Sequence, residues 1–101
     1  MRIISMRRLR EFWERHADAE RPLRSWYTQV ARAQWQHFAD VRRDFPSADQ
    51  VERLTVFNIR GNHYRLIVRI EFDRQRIYIR AVLTHTEYDQ EKWKNDDWYH
   101  R

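Results

Sequence analysis

Apolar positions recur at three- and four-residue spacing through the first third of the chain and then switch to alternation. After a possible short strand at Arg2 to Ile4, Met6, Leu9, Phe12, Trp13 and Ala17 fall on one face of a helix. Ser5 stands where it can cap that helix, and Arg7, Arg8, Arg10, Glu11 and Glu14 take its other face. Pro22 suits the first turn of a second helix, in which Leu23, Trp26, Tyr27, Val30 and Ala33 or Gln34 return at helical spacing. The two predict a helical hairpin whose rings are core. Asp40 to Arg53 sustains no period and contains Phe45-Pro46-Ser47, which predicts a connection with at most a short turn of helix.

The remainder reads as β-structure. Leu54 to Ile59 is rich in β-branched and aromatic residues, Arg60-Gly61-Asn62-His63 offers a tight turn, and strands follow at Tyr64 to Phe72 and Arg76 to Thr84. With Asp73-Arg74-Gln75 as the second turn, these form an antiparallel meander, followed by a short helix from Glu87 to Asn95. Alternation sends Tyr64, Leu66, Val68, Ile70 and Phe72 to the core and Arg65, Ile67, Arg69 and Glu71 to the other face. In the next strand Ile77, Ile79, Ala81 and Leu83 make the apolar row, leaving Arg76, Tyr78, Arg80 and Val82 opposite. The order predicts an α+β fold, two N-terminal helices packed on a small antiparallel sheet.

Composition narrows the class. A chain of 101 residues has the common size of one domain, so residues 1–101 are read as a single unit. An apolar share of 42% with fifteen aromatic residues supports a packed core despite 35% charge. At this size some of those rings must lie at or near the surface. The absence of cysteine excludes a disulfide framework and thiolate metal sites. No stretch approaches the roughly 18 apolar residues of a membrane span, and the start lacks the apolar run of a signal peptide, so a cytoplasmic protein is expected.

The formal charge of +5 is carried almost wholly by arginine, since Lys92 and Lys94 are the only lysines. A planar guanidinium grips phosphate with two parallel hydrogen bonds and stacks on bases. The stretch from Arg60 to Arg80 holds Arg60, Arg65, Arg69, Arg74, Arg76 and Arg80 against Glu71 and Asp73. Like charges on adjacent strands repel, so a polyanion on that face would explain them; a solvated face with local pairing is the simpler alternative. His63, beside Arg65, could touch phosphate from the turn.

Thr84-His85-Thr86-Glu87-Tyr88-Asp89 follows the last strand directly. Imidazole moves a proton near neutrality, a phenol donates, and a carboxylate can fix the imidazole's orientation. Attack of a ribose 2′-hydroxyl on the neighbouring phosphate needs a base, an acid and cations at the phosphorane. The bland reading is that Glu87 and Asp89 merely begin a helix. His16, His37 and His100 lie on helices or in the tail and are less informative. No histidine pair has helical ligand spacing, so neither a metal nor another cofactor is expected.

Phe57-Asn58-Ile59-Arg60-Gly61-Asn62-His63-Tyr64-Arg65-Leu66-Ile67, Ile79-Arg80 and Thr84-His85-Thr86-Glu87-Tyr88-Asp89 together resemble the HigB-type toxins of the RelE/ParE-like superfamily. Asp40-Val41 and Phe45-Pro46-Ser47-Ala48-Asp49 read like that family's linker, so the resemblance covers nearly the whole chain. It implies two helices on an antiparallel sheet and an endoribonuclease that cuts mRNA, typically on the ribosome. It also implies a HigA-type helix-turn-helix antitoxin, with operator DNA bound only by the toxin-antitoxin complex.

By that resemblance Arg65 matches a phosphate-contacting strand arginine, His85 falls where relatives place a basic residue, and Tyr88 lies near their catalytic tyrosine. The paired lysines of the RelE pattern are missing; Thr55, Val56, Phe57 and Asn58 stand on the preceding strand. The expected site is therefore His85 as base or acid, Arg65 at the phosphate, and Tyr88 as positioning group. Arg60, Arg69, Arg76, Arg80, Asn62 and His63 are expected as further RNA contacts, with Asn58 and Asp89 in support. Two other readings stay open: a toxin of this fold that inhibits a protein such as gyrase, and an accessory nucleic-acid-binding domain.

Overall fold

A computed structural model describes residues 1–99; His100, read above as a tail residue, lies outside the described residues. The chain runs β1 (Arg2–Ile4), α1 (Arg7–Arg15), a 3-10 turn (Ala17–Ala19), α2 (Glu20–Arg32) and α3 (Phe38–Asp44). It continues with β2 (Asp49–Val51), β3 (Leu54–Ile59), β4 (Tyr64–Glu71), β5 (Arg76–Thr84), α4 (His85–Asp89) and a 3-10 turn (Lys92–Asn95). The α+β architecture read from periodicity is present.

The strands form one five-stranded sheet in the order β1-β5-β4-β3-β2. The expected antiparallel meander is its centre, while β1 pairs with β5 in parallel and β2 adds an antiparallel edge on β3. Asp49–Val51 fell inside the stretch expected to be a connection, and three residues are too few to betray a strand by alternation.

Leu9, Phe12 and Trp13 of α1 and Leu23, Trp26 and Val30 of α2 are buried as the helical spacing requires. They pack on the sheet face formed by Phe57, Ile59, Tyr64, Leu66, Val68, Ile77 and Ile79. Phe57 is the hub, with Trp26, Phe45 and Trp35 around it at centroid distances of 5.5, 5.2 and 6.4 Å. Trp35 reaches this core from the segment between α2 and α3, and its indole N–H donates to Asp44 at 2.9 Å. That bond holds α3, a fuller helix than expected, against the sheet.

Helix ends differ from the sequence reading in instructive ways. Ser5 lies one residue outside the cap, which is Met6, yet its Oγ still accepts the Arg7 N–H at 3.2 Å. Ala17 leaves the α1 stripe because the chain turns into the 3-10 segment. The last helix begins at His85, two residues early, because Thr84 caps it. Thr84 Oγ1 accepts from the Glu87 N–H at 3.2 Å and Glu87 Oε1 from the Thr84 N–H at 2.9 Å, a reciprocal capping box. Instead of running on to Asn95, this helix stops after Asp89, and Glu91 adopts a left-handed φ of 61° before the final turn.

A second, smaller core lies on the opposite sheet face. Leu54, Val56, Ile67 and Trp93 are buried there, with Ala81, Leu83, Tyr88, Trp98 and Tyr99 packed around them. No large apolar side chain is exposed among the described residues, so the expected surface rings are partly covered, not open. No helix among the described residues is long and apolar enough to cross a membrane.

Candidate functional site

Register decides which candidate residues share a surface. On the face away from the helices, Asn58, Arg65 and Leu83 form one row across three strands, Ile67 pairs with Ala81, Arg69 with Tyr78, and Glu71 with Arg76. Between Ile67↔Ala81 and Val68↔Ile79 the pairing shifts by one residue, leaving Arg80 as an unpaired bulge. The bulge reverses the alternation beyond it. Ala81 and Leu83, expected beside Ile77 and Ile79, join the second core, and Val82, expected beside Arg80, packs on the helical side.

The bulge also changes the reading of Arg80 as an open phosphate contact. Its Nε and Nη2 donate to both oxygens of Asp96 at 2.9 to 3.3 Å, and its guanidinium lies 4.1 Å from the Trp98 ring centre. Trp98 in turn meets Tyr78 edge-on at 4.9 Å. Residues 92–99 thus cover the arginine that alternation alone left exposed. The signal available in the sequence was Trp93 and Trp98 standing in an otherwise polar tail.

At the other end of the same face the candidate residues converge. Thr84 is the strand partner of Tyr64, so α4 begins beside the first residue of β4. His85 Nδ1 lies 2.9 Å from Asp89 Oδ2, one helical turn on, with both side chains more than half exposed. This contact directs Nδ1 at the carboxylate and leaves Nε2 outside it. Three residues after His85, the Tyr88 ring carries the Arg65 guanidinium at 5.3 Å and stacks on Trp93 at 5.2 Å. Arg65 Nη1 also donates to the carbonyls of Asn62 at 3.0 Å and Tyr64 at 3.2 Å. These contacts hold the guanidinium near the helix that carries His85.

Burial pushes the Tyr88 phenol above its usual range, with the Asp49 charge adding to the effect. At neutral pH it is therefore a donor. The hairpin turn completes the cluster: Arg60 and Gly61 both hold left-handed φ, at 52° and 61°. Only glycine adopts that geometry without steric cost. Asn58 Nδ2 donates to Asn62 Oδ1 at 3.4 Å, and His63 Nδ1 sits 3.0 Å from the Arg60 carbonyl. Asn58, Arg60, Asn62, His63, Arg65, His85, Tyr88 and Asp89 thus lie at one end of the sheet. Arg69 and Arg76 lie toward the other end, where Arg76 adjoins Arg2 of β1.

Comparison with known proteins identifies the family. The HigB toxin family, the RelE-like toxic component of a toxin-antitoxin system, matches residues 19–91. The "mRNA interferase toxin HigB" of Escherichia coli strain K12 is 30% identical over 92 residues, covering 88% of this chain and 88% of the relative. The "mRNA interferase HigB" of Shigella flexneri shows the same identity and coverage. That of Escherichia coli O6:H1 is 26% identical over 93 residues, covering 89% of this chain and 90% of the relative. A matched stretch that takes in both helix α2 and the whole β3–β5 meander, ending just beyond the His85 cluster, establishes that this chain belongs to the HigB toxin family of RelE-like toxin-antitoxin toxins.

Proposed function

We propose that this toxin is an mRNA interferase that cleaves by attack of a ribose 2′-hydroxyl on the adjacent phosphorus, with departure of the 5′-oxygen and no metal. The relatives named above are mRNA interferases by name, and the local geometry supports the same chemistry here. The observation that carries the reading is the His85–Asp89 contact beside the Arg65–Tyr88 pair. His85 takes the 2′-hydroxyl proton or returns one to the leaving oxygen through Nε2, and Asp89 orients the ring. Arg65 neutralises charge building on the phosphorane oxygens. Tyr88, kept protonated by burial, holds Arg65 and can donate to a phosphate oxygen.

Arg60, Asn62 and His63 receive the backbone next to the scissile phosphate, and Asn58 shapes the turn. Arg69 and Arg76 meet phosphates further along the strand. Arg80, engaged by Asp96, keeps the C-terminal segment in place and stands near the RNA path without entering it in this state. The whole chain acts as one domain in the cytoplasm, on messages held by the ribosome, whose grip supplies the register that so small a site lacks. A HigA-type helix-turn-helix antitoxin neutralises it, and operator DNA is bound through the complex.

Mapping RNA 5′ ends after induction tests this. His85→Ala and Arg65→Ala should each remove message cleavage and growth arrest while the far-UV circular dichroism spectrum is kept. Cleavage at the wild-type rate in both variants would overturn the residue assignment. Growth arrest by the wild type with messages intact would instead point to a protein target.

A further inference from the structure

Asp18 and Tyr64 make a polar contact that the chemistry above does not use. Asp18, in the turn between α1 and α2, accepts the Tyr64 hydroxyl on Oδ1 at 2.6 Å and faces Arg60 Nη1 with Oδ2 at 3.2 Å. The contacts span 46 positions in sequence for Tyr64, and they tie the helical layer to the β3–β4 hairpin. Tyr64 is 8% exposed and its ring is fixed, edge-on to Phe12 at 5.1 Å and near His16 at 5.5 Å. A short hydroxyl bond to a carboxylate is charge-assisted and among the stronger contacts available. Consistent with it, the bond holds the Asp18 carboxyl below its usual range and the Tyr64 phenol above its own.

The position of Tyr64 gives this cluster its meaning. It is the first residue of β4, with Ile59 as neighbour on one side and Thr84, the cap of α4, on the other. The residue after Thr84 is His85 and the residue after Tyr64 is Arg65. Arg60 carries a left-handed φ of 52°, a conformation a non-glycine residue holds only when its surroundings impose it. Asp18 touches the strand residue and the turn residue together. It therefore acts on both the start of the helix bearing His85 and the turn bearing Arg60, Asn62 and His63.

We infer that Asp18 and Tyr64 are positioning residues for the cleavage reaction: through the Tyr64 hydroxyl, Asp18 sets the separation between the phosphate-binding turn and His85. The inference rests on the proposed function. As neither residue is among the proposed RNA contacts, their loss should slow the chemical step at saturation more than it weakens binding.

The test is cleavage of a reporter mRNA in a translating extract, measured against toxin concentration for wild type, Asp18→Ala, Asp18→Asn, Tyr64→Phe and Asp18→Ala/Tyr64→Phe. Folding is checked by circular dichroism and melting, and Tyr64→Phe, lacking one oxygen atom, keeps the test valid if Asp18→Ala folds poorly. Tyr64→Phe and Asp18→Ala should each lower the saturating rate by about tenfold or more, with a smaller change in the half-saturating concentration. The double variant should be no slower than Asp18→Ala, because both act through one bond. Asp18→Asn keeps an oxygen for the Tyr64 hydroxyl and should retain most of the rate.

Wild-type rates in both Asp18→Ala and Tyr64→Phe, or losses that multiply in the double variant, would overturn the inference. His85→Ala belongs in the same assay. If it is inactive while the Asp18 and Tyr64 variants match wild type, only the positioning role fails. If His85→Ala also cleaves normally, the role assigned to His85 fails with it, and intact messages under the wild type would overturn the proposed function itself.

Discussion

His85 and Asp89 are both more than half exposed, and an exposed pair of this kind adds little to folding. What the carboxylate can do is hold one ring nitrogen so that the other is presented to the ribose. Asp89→Asn should therefore slow cleavage by roughly tenfold, less than a full general acid–base contribution because the imidazole remains, while the melting midpoint stays put. A variant that cleaves like wild type would remove Asp89 from the mechanism. Both residue types were legible in Thr84 to Asp89, but their meeting one helical turn apart was not, because the helix was expected to begin only at Glu87. Nor was the Arg65–Tyr88 contact, because nothing in either segment states that β4 and α4 adjoin.

At the scale of elements, the site depends on how α4 starts. A helix of five residues cannot stand on propensity, so its position comes from the capping box of Thr84 and Glu87. Thr84→Ala should cost about 1 kcal/mol and lower cleavage, and Thr84→Ser should restore both, as read by denaturant titration and 5′-end mapping. Equal cleavage by Thr84→Ala and wild type would separate the cap from the site. Glu87, which the sequence offered as either a chemical group or a helix-starting carboxylate, takes the second part. The Arg80 bulge shows where alternation fails: one extra residue in β5 moves Ala81, Val82 and Leu83 to the faces opposite those a strict period of two assigns. No local composition marks that residue, since Arg80 sits in a run with high strand propensity throughout.

Over the whole molecule, two packed faces share one sheet, and carboxylates help join the layers. The Tyr64 hydroxyl holds the Asp18 carboxyl low, and the Gln36 backbone N–H does the same for Asp40 at the head of α3. A carboxyl with a depressed folded pKa contributes stability that is present above its unfolded value of about 4 and lost as pH falls through the lower folded value. Melting midpoints should thus decline as pH drops below about 4, and Asp18→Asn together with Asp40→Asn should flatten that decline. An acid limb equally steep in the variant would assign the loss to other carboxylates. The sheet's second core, with Trp93 over Ile67, means the same face carries both hydrophobic cover and the candidate site.

By itself the sequence determined the helical hairpin, the β3–β5 meander, the basic character of the hairpin and the chemical types gathered after β5. Each of these rests on local periodicity, turn chemistry or residue type, which neighbours in the chain carry among themselves. Tertiary structure decided the parallel seat of β1 on β5, the edge strand β2, the α3 helix and the division of the arginines into two groups. It also decided that Asp96 and Trp98 close over Arg80 while Asp18 reaches Tyr64 and Arg60. Those outcomes depend on register and on contacts between segments tens of residues apart, which no periodicity within either segment records.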